Sequence, residues 1–214
     1  MITLPPYIYV GHGFGMMSQA ITAVISGLAI LFMIISAIIP GSPQSSLAQH
    51  LSTTANTTTS RTTSTNFQTY SNAALGIKMK YPSNWLYRDL SRNNSSVPVV
   101  EFQSVGKPVA LVLTGNINYR NVTLAAIVST RENQLKHDGN ILHLVSSTPA
   151  TLAGYPAHRI VFTQLTPQGK FELMQLISLV GKKGYFISYM APAANYTTYE
   201  PTIQTIINSA EINK

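Results

Sequence analysis

Twenty consecutive residues without a charge, Ala20 to Ile39 (AITAVISGLAILFMIISAII), constrain this chain more than any other feature. Thr22, Ser26, Gly27 and Ser36 alone interrupt the apolar run. At 1.5 Å per residue a helix of that length is about 30 Å long, the thickness of the hydrocarbon core of a bilayer. A helix satisfies its own backbone N–H and C=O groups in lipid, and Pro40-Gly41-Ser42-Pro43 supplies a stop where the chain returns to water. The expectation is a single transmembrane helix over 20–39, a retained signal anchor preceded by a short lead-in over 1–19. The alternative is a secreted protein cleaved near Ala48, where Ser46 and Ala48 offer small side chains. Against cleavage stand the length of the apolar run and the lack of a basic flank before it.

Every Lys, Arg, Asp and Glu lies at or beyond Arg61, so the positive-inside rule has no charges to count near the span. Orientation is read instead from the residues C-terminal to the span. Residues 52–65, STTANTTTSRTTST, hold eleven Ser or Thr among fourteen, a composition with nothing to build a core from. They belong to a flexible stalk over 40–66, whose roughly 25 residues reach about 25–30 Å on average. Acceptor sequons for N-glycosylation stand at Asn56, Asn93, Asn94, Asn121 and Asn195, which suits an extracytoplasmic, extracellular surface. The expectation is a cell-membrane protein whose C-terminal domain, 67–214, sits outside.

The chain has no cysteine, which excludes a disulfide framework, a thiolate metal site and a cysteine nucleophile. Its net charge of +7 is carried by singly scattered residues, with Lys182-Lys183 the one adjacent basic pair. No basic stripe with interleaved aromatics is present, so a nucleic-acid partner is not expected.

Beyond the stalk the apolar period becomes two. In Gly76–Pro82 (GIKMKYP), Ile77, Met79 and Tyr81 alternate with Lys78 and Lys80, which makes a half-buried strand ended by Pro82. Trp85, the sole tryptophan, falls in the following turn as a packing anchor. Residues 97–104 and 109–114 read as an antiparallel hairpin across Gly106-Lys107-Pro108. The period then turns helical: Leu124, Ile127, Val128 and Leu135 form a stripe, with Thr123 to cap the start and Gly139 to close the end. Strands near 141–151, 157–166, 170–181 and 184–190 come next, separated by Gly154-Tyr155-Pro156, Pro167-Gln168-Gly169 and Lys182-Lys183-Gly184. FELMQLISLV is apolar on both faces and so belongs in the middle of a sheet covered on both sides by helices. A last helix runs from Tyr199 to Ser209, with Pro201 in its first turn and Tyr199, Ile203, Ile206, Ile207 and Ala210 on its stripe. The fold class is α+β: an antiparallel sheet sandwiched by helices.

TYSNAALGIKMKYPSNW, LAGYPAHRIVFT and GYFISYMAPAANYTTYEPTIQTIINSAEI together resemble the PsbP-like family, in particular its short membrane-anchored versions in ammonia-oxidising archaea. The resemblance spans 67–214. It implies the family's α/β/α sandwich, shared with the nuclear import factor that binds the GTPase Ran, and an accessory, protein-binding role on a membrane complex. It brings no catalytic signature and no transferable binding residues.

The residues themselves give no enzyme. There is no G-x-S-x-G elbow, phosphate loop or HExxH helix, and the acidic residues are isolated in sequence. Gly11-His12-Gly13-Phe14-Gly15 precedes no soluble helix and reads as lead-in. No cofactor is expected. His137, His143 and His158 match no metal-ligand spacing and read as surface or strand-edge histidines. Two functions remain: a non-enzymatic module docking on a protein of a membrane or envelope complex, or a surface protein binding a small ligand or glycan in a sheet–helix cleft lined by Tyr196 and Tyr199. A deep aromatic pocket favours the second.

Overall fold

The computed structural model describes residues 66–91 and 98–213. The span, most of the stalk and the sequons at Asn56, Asn93 and Asn94 therefore lie outside the described residues. Two antiparallel sheets carry the architecture. A small one has the order β1-β2-β10, from Phe67–Asn72, Ile77–Pro82 and Glu211–Ile212. A large one has the order β3-β4-β5-β9-β8-β7-β6, from Trp85–Asp89, Val99–Ser104, Ala110–Asn118, Lys183–Pro192, Gly169–Val180, Tyr155–Thr166 and Ile141–Leu152. Helix α1 is Leu124–His137 and helix α2 is Tyr196–Asn208.

FELMQLISLV lies in β8, flanked by β9 and β7, and alternation sends its side chains to two cores. Phe171, Leu173 and Ile177 pack with Ile127, Val128 and Leu135 of α1. Met174 and Leu176 face the other way, into a core shared with Ile203, Ile206 and Ile207 of α2 and with Tyr70, Ile77 and Met79 of the small sheet. One face is thus covered by a helix, and the other by a helix and a second sheet. The expectation of helices alone is corrected there. β1 is invisible to periodicity because Tyr70 is its sole buried side chain.

Trp85 is buried, as an anchor should be, but it opens β3 rather than sitting in a turn. Thr123 caps α1, its hydroxyl accepting from the Ala126 amide at 3.2 Å. Gly139 does not close that helix. Asp138 is the C-cap in extended backbone, its carboxylate accepting from the Asn140 amide and its carbonyl from the Ile141 amide. α2 begins three residues earlier than expected, at Tyr196, which puts Pro201 inside the helix. The proline lacks the N–H that would reach the carbonyl of Thr197, a residue on the exposed side of the helix.

The turns are displaced by one or two residues. The β6–β7 turn is Ala153-Gly154, with φ of 50° and 80°, and the β8–β9 turn is Gly181-Lys182 with φ 63° at the glycine. Gly184 sits within β9, where an added Cβ would lie 2.5 Å from the Tyr119 ring. The glycine there serves a close approach, which composition alone cannot distinguish from a turn. β5 runs on past Thr114 through an irregularity at Gly115-Asn116.

Candidate functional site: an open sheet edge and an end cavity

β6 is the last strand of the large sheet, twelve residues long, and holds no Lys, Arg, Asp or Glu. Its pairing with β7 shifts register between Ile141 and His143 and again between Leu144 and Ser146. Leu142 and Val145 stand at those irregularities, 51% and 48% exposed, with Leu144 at 38% between them. Edge strands are usually blunted by charge, proline or bulges. Here Pro149 and the bulges interrupt the hydrogen-bonding edge while the apolar side chains remain in water.

A polar link braces this edge against α1. Ser147 of β6 donates to Glu132 Oε1 at 2.5 Å, and its Oγ lies 2.7 Å from Nε2 of His158 on β7. A hydroxyl has one proton, and it goes to Glu132, so the ring nitrogen supplies the other proton as an N–H donor. A nucleophilic triad places the imidazole between acid and hydroxyl and leaves its nitrogen free to accept. This order is the reverse, and the arrangement holds elements together rather than activating the serine. On the opposite face of the same strands Arg159 donates to Glu200 of α2 at 2.5 Å.

Sequence reasoning also missed Arg131, which occupies the α1 stripe between Val128 and Leu135. It is 5% exposed, donates to Gln175 Oε1 at 2.6 Å and lies 5.6 Å from the Phe162 ring centroid. Burial lowers its pKa to about 10. The signal was available as an i, i+3/i+4 position, but an arginine there reads as a break in the stripe.

A cavity of about 730 Å³ opens at one end of the large sheet, lined by Asn116, Asn118, Tyr155, Lys182, Lys183 and Tyr185 among others. Tyr185 is fully buried and its hydroxyl has no hydrogen-bond partner among the described residues. Burial, then the neighbouring Tyr155, raises its pKa. A second, more polar cavity of about 520 Å³ shares Tyr155 as a wall. Asn116 and Ala153, one in each lining, hold φ of 57° and 50°, values that cost a non-glycine residue energy.

Tyr196 and Tyr199 line neither cavity. Tyr196 is buried, its carbonyl accepting from the Tyr189 hydroxyl at 2.7 Å and its pKa raised by burial to about 12, while Tyr199 is half-buried against the core. His143 is opposite Thr163 and His158 opposite Pro149, so alternation sends the two histidines to different faces; His137 meets the Asn133 carbonyl at the end of α1. Among the described residues no three His, Asp or Glu side chains converge as metal ligands. Nor is any described helix long and apolar enough to cross a membrane, residues 20–39 being outside that set. Asn121 and Asn195 are exposed; Thr123, which completes the first sequon, is occupied as the α1 cap.

Residues 21–212 match the profile of a family described as PsbP-like protein. Among solved structures, cyanobacterial PsbP (CyanoP) from Synechocystis sp. PCC 6803 superposes with a TM-score of 0.53 at 13% identity, covering 73% of this chain and 98% of that one. LpqN of Mycobacterium tuberculosis, a protein involved in cell envelope biogenesis, gives 0.45 at 12% identity over 64% and 83%. The Ran-binding protein Mog1p of Saccharomyces cerevisiae gives 0.46 at 10% identity over 70% and 96%. No curated protein matches the sequence.

Proposed function

Because the chain belongs to the PsbP-like protein family, we propose that its domain is a non-enzymatic accessory module that docks on a partner protein through the β6 edge. The module is of the short archaeal type, held at the outer side of the cell membrane by the span over 20–39, with the stalk as tether. Its sequons, Asn121 and Asn195 among them, face the same compartment as the partner and are open to glycosylation there. The single observation that carries the docking reading is β6 itself: twelve residues at a sheet edge without one carboxylate, ammonium or guanidinium, and with Leu142, Leu144 and Val145 in water. A partner that covers these side chains removes apolar area from water, worth about 25 cal/mol per Å² before the costs of association. The bulges stop the ladder from growing indefinitely, so recognition rests on side chains.

A membrane-impermeant cross-linker applied to intact cells, followed by mass spectrometry, tests both location and docking. Wild-type chain is expected to recover one protein repeatedly, and the Leu142→Lys, Val145→Lys double variant to lose it. Undiminished recovery from the double variant, or labelling of the domain only after lysis, would overturn the reading.

A further inference from the structure

We infer that the end of the domain at which the chain enters it rests on the bilayer surface, with Leu86 and Val105 as the side chains that enter the interface. The inference rests on the anchoring span of the proposed function and adds a contact separate from the docking edge. Seven large apolar side chains are exposed among the described residues, and all lie in one half of the large sheet. Leu142, Leu144 and Val145 belong to the β6 edge. The other four are Leu86 and Tyr87 at the start of β3, Val105 in the β4–β5 turn and Leu165 near the end of β7.

The chain enters at that same end. The Asn66 carbonyl accepts from the Ser83 amide at 2.8 Å, Phe67 stands opposite Pro82, and Ser83 and Asn84 alone lead from there to Trp85. Trp85 is in turn opposite Ser104, which places the β4–β5 turn beside the start of β3. Leu86 and Val105, 62% and 61% exposed, therefore flank the point where the stalk meets the domain. Tyr87 is fixed between them and the small sheet, its ring centroid 5.5 Å from that of Tyr70 and 6.0 Å from that of Tyr81. A half-exposed tyrosine, apolar in body and polar at its tip, suits the headgroup level of a membrane.

Where the stalk ends decides what covers these side chains. Its average reach of about 25–30 Å from the span keeps the bilayer within range of this end at all times, so a contact too weak to recruit a free protein suffices for a tethered one. Charge agrees. Residues 66–69, 82–87, 103–109 and 165–170, which make up the strand ends and turns here, hold Lys107 and Lys170 and no Asp or Glu, while Lys136 and Asp138 of the α1–β6 connection offset each other. Anionic headgroups attract such a surface. Lys182 and Lys183 make the opposite end basic as well, but no large apolar side chain is exposed there, so charge and apolar surface coincide at the stalk end alone among the described residues.

Because the chain has no cysteine, a single introduced thiol takes a fluorophore at one chosen place. Asn84→Cys, exposed in the β2–β3 turn, reports on the stalk end, and Asn118→Cys, exposed at the end of β5, on the opposite one. Each labelled full-length chain is reconstituted into vesicles of phosphatidylcholine and phosphatidylglycerol, some of the lipid carrying a nitroxide on its acyl chain near the headgroup. The label at position 84 is expected to be quenched and the one at 118 to stay bright. Leu86→Glu with Val105→Glu, both at exposed positions that leave the core alone, is expected to bring position 84 to the level of 118. Equal quenching at the two positions, or quenching at 84 unaltered by the double substitution, overturns the inference. So does self-quenching between labels at 84 that rises with the protein-to-lipid ratio while the nitroxide has no effect, which assigns the patch to a second copy of the chain. A chain that leaves the vesicles in an alkaline wash refutes the anchor and this contact together; one that stays while position 84 remains bright refutes the contact alone.

Discussion

Glu101 is the buried charge on which the stability of the large sheet turns. It lies on β4 between Arg88 of β3 and Val112 of β5, with its side chain 0% exposed. Arg88 sends both Nε and Nη2 to the same oxygen, Oε2, at 3.0 and 2.7 Å, and Oε1 has no partner. Burial raises the Glu101 pKa, against the pull of Arg88. Arg88→Ala removes that pull and leaves the carboxylate the choice of staying charged and unpaired or taking up a proton. The second route sets a ceiling. From an ordinary pKa of about 4.3, neutralising the group at pH 7 costs 2.7 pH units at 1.36 kcal/mol each, about 3.7 kcal/mol; at pH 5 it costs about 1 kcal/mol. A folded-state pKa raised above the unfolded one leaves stability whole below the unfolded value and removes it as pH rises through the folded one. Part of the penalty is already present in the wild type, so Arg88→Ala is expected to cost about 2–3 kcal/mol at pH 7 and under about 1 kcal/mol at pH 5. Urea denaturation followed by the fluorescence of Trp85, the sole tryptophan and a buried neighbour in β3, reads both values. Adding Glu101→Gln should recover most of the loss at pH 7. A deficit of the same size at both pH values would refute the argument, because it would place the loss in packing and not in an uncompensated charge.

Gly184→Ala is expected to cost about 1–3 kcal/mol, since the new methyl would stand 2.5 Å from a ring carbon of the buried Tyr119 and 3.2 Å from one of Phe186; an unchanged urea midpoint would show that the rings move freely. Thr123→Ala removes the α1 cap and is expected to cost about 1 kcal/mol. Thr123→Ser should retain both the stability and the Asn121 sequon, which a denaturation curve and a peptide mass separate from the alanine variant.

What periodicity can read in this chain is burial. β2, β8 and α2 announce themselves because one face, or both, is largely apolar, and α1 does so through Ile127, Val128 and Leu135 despite the arginine in its stripe. β1 and β3 escape because they bury one side chain each, Tyr70 and Trp85, and owe their conformation to the strands beside them. Arg131 and Glu101 escape for the opposite reason. They are buried charges whose partners, Gln175 and Arg88, are 44 and 13 residues away, so each looks like a solvent position until the chain is folded.

The two candidate sites differ in the same way. β6 is legible as a strand, but nothing in ILHLVSSTPATL says that it ends the sheet, because order in a sheet is set by which neighbours bury the shared faces. Its lack of charge reads as a sign of burial and acquires the opposite sense only once Leu142 and Val145 are placed in water. The end cavity draws on the β5 irregularity, two hairpin turns and the C-terminal segment, brought together by the β5–β9 and β8–β9 pairings. Lys182-Lys183 is visible as a doublet and reads as a solvated turn, which is correct for the backbone.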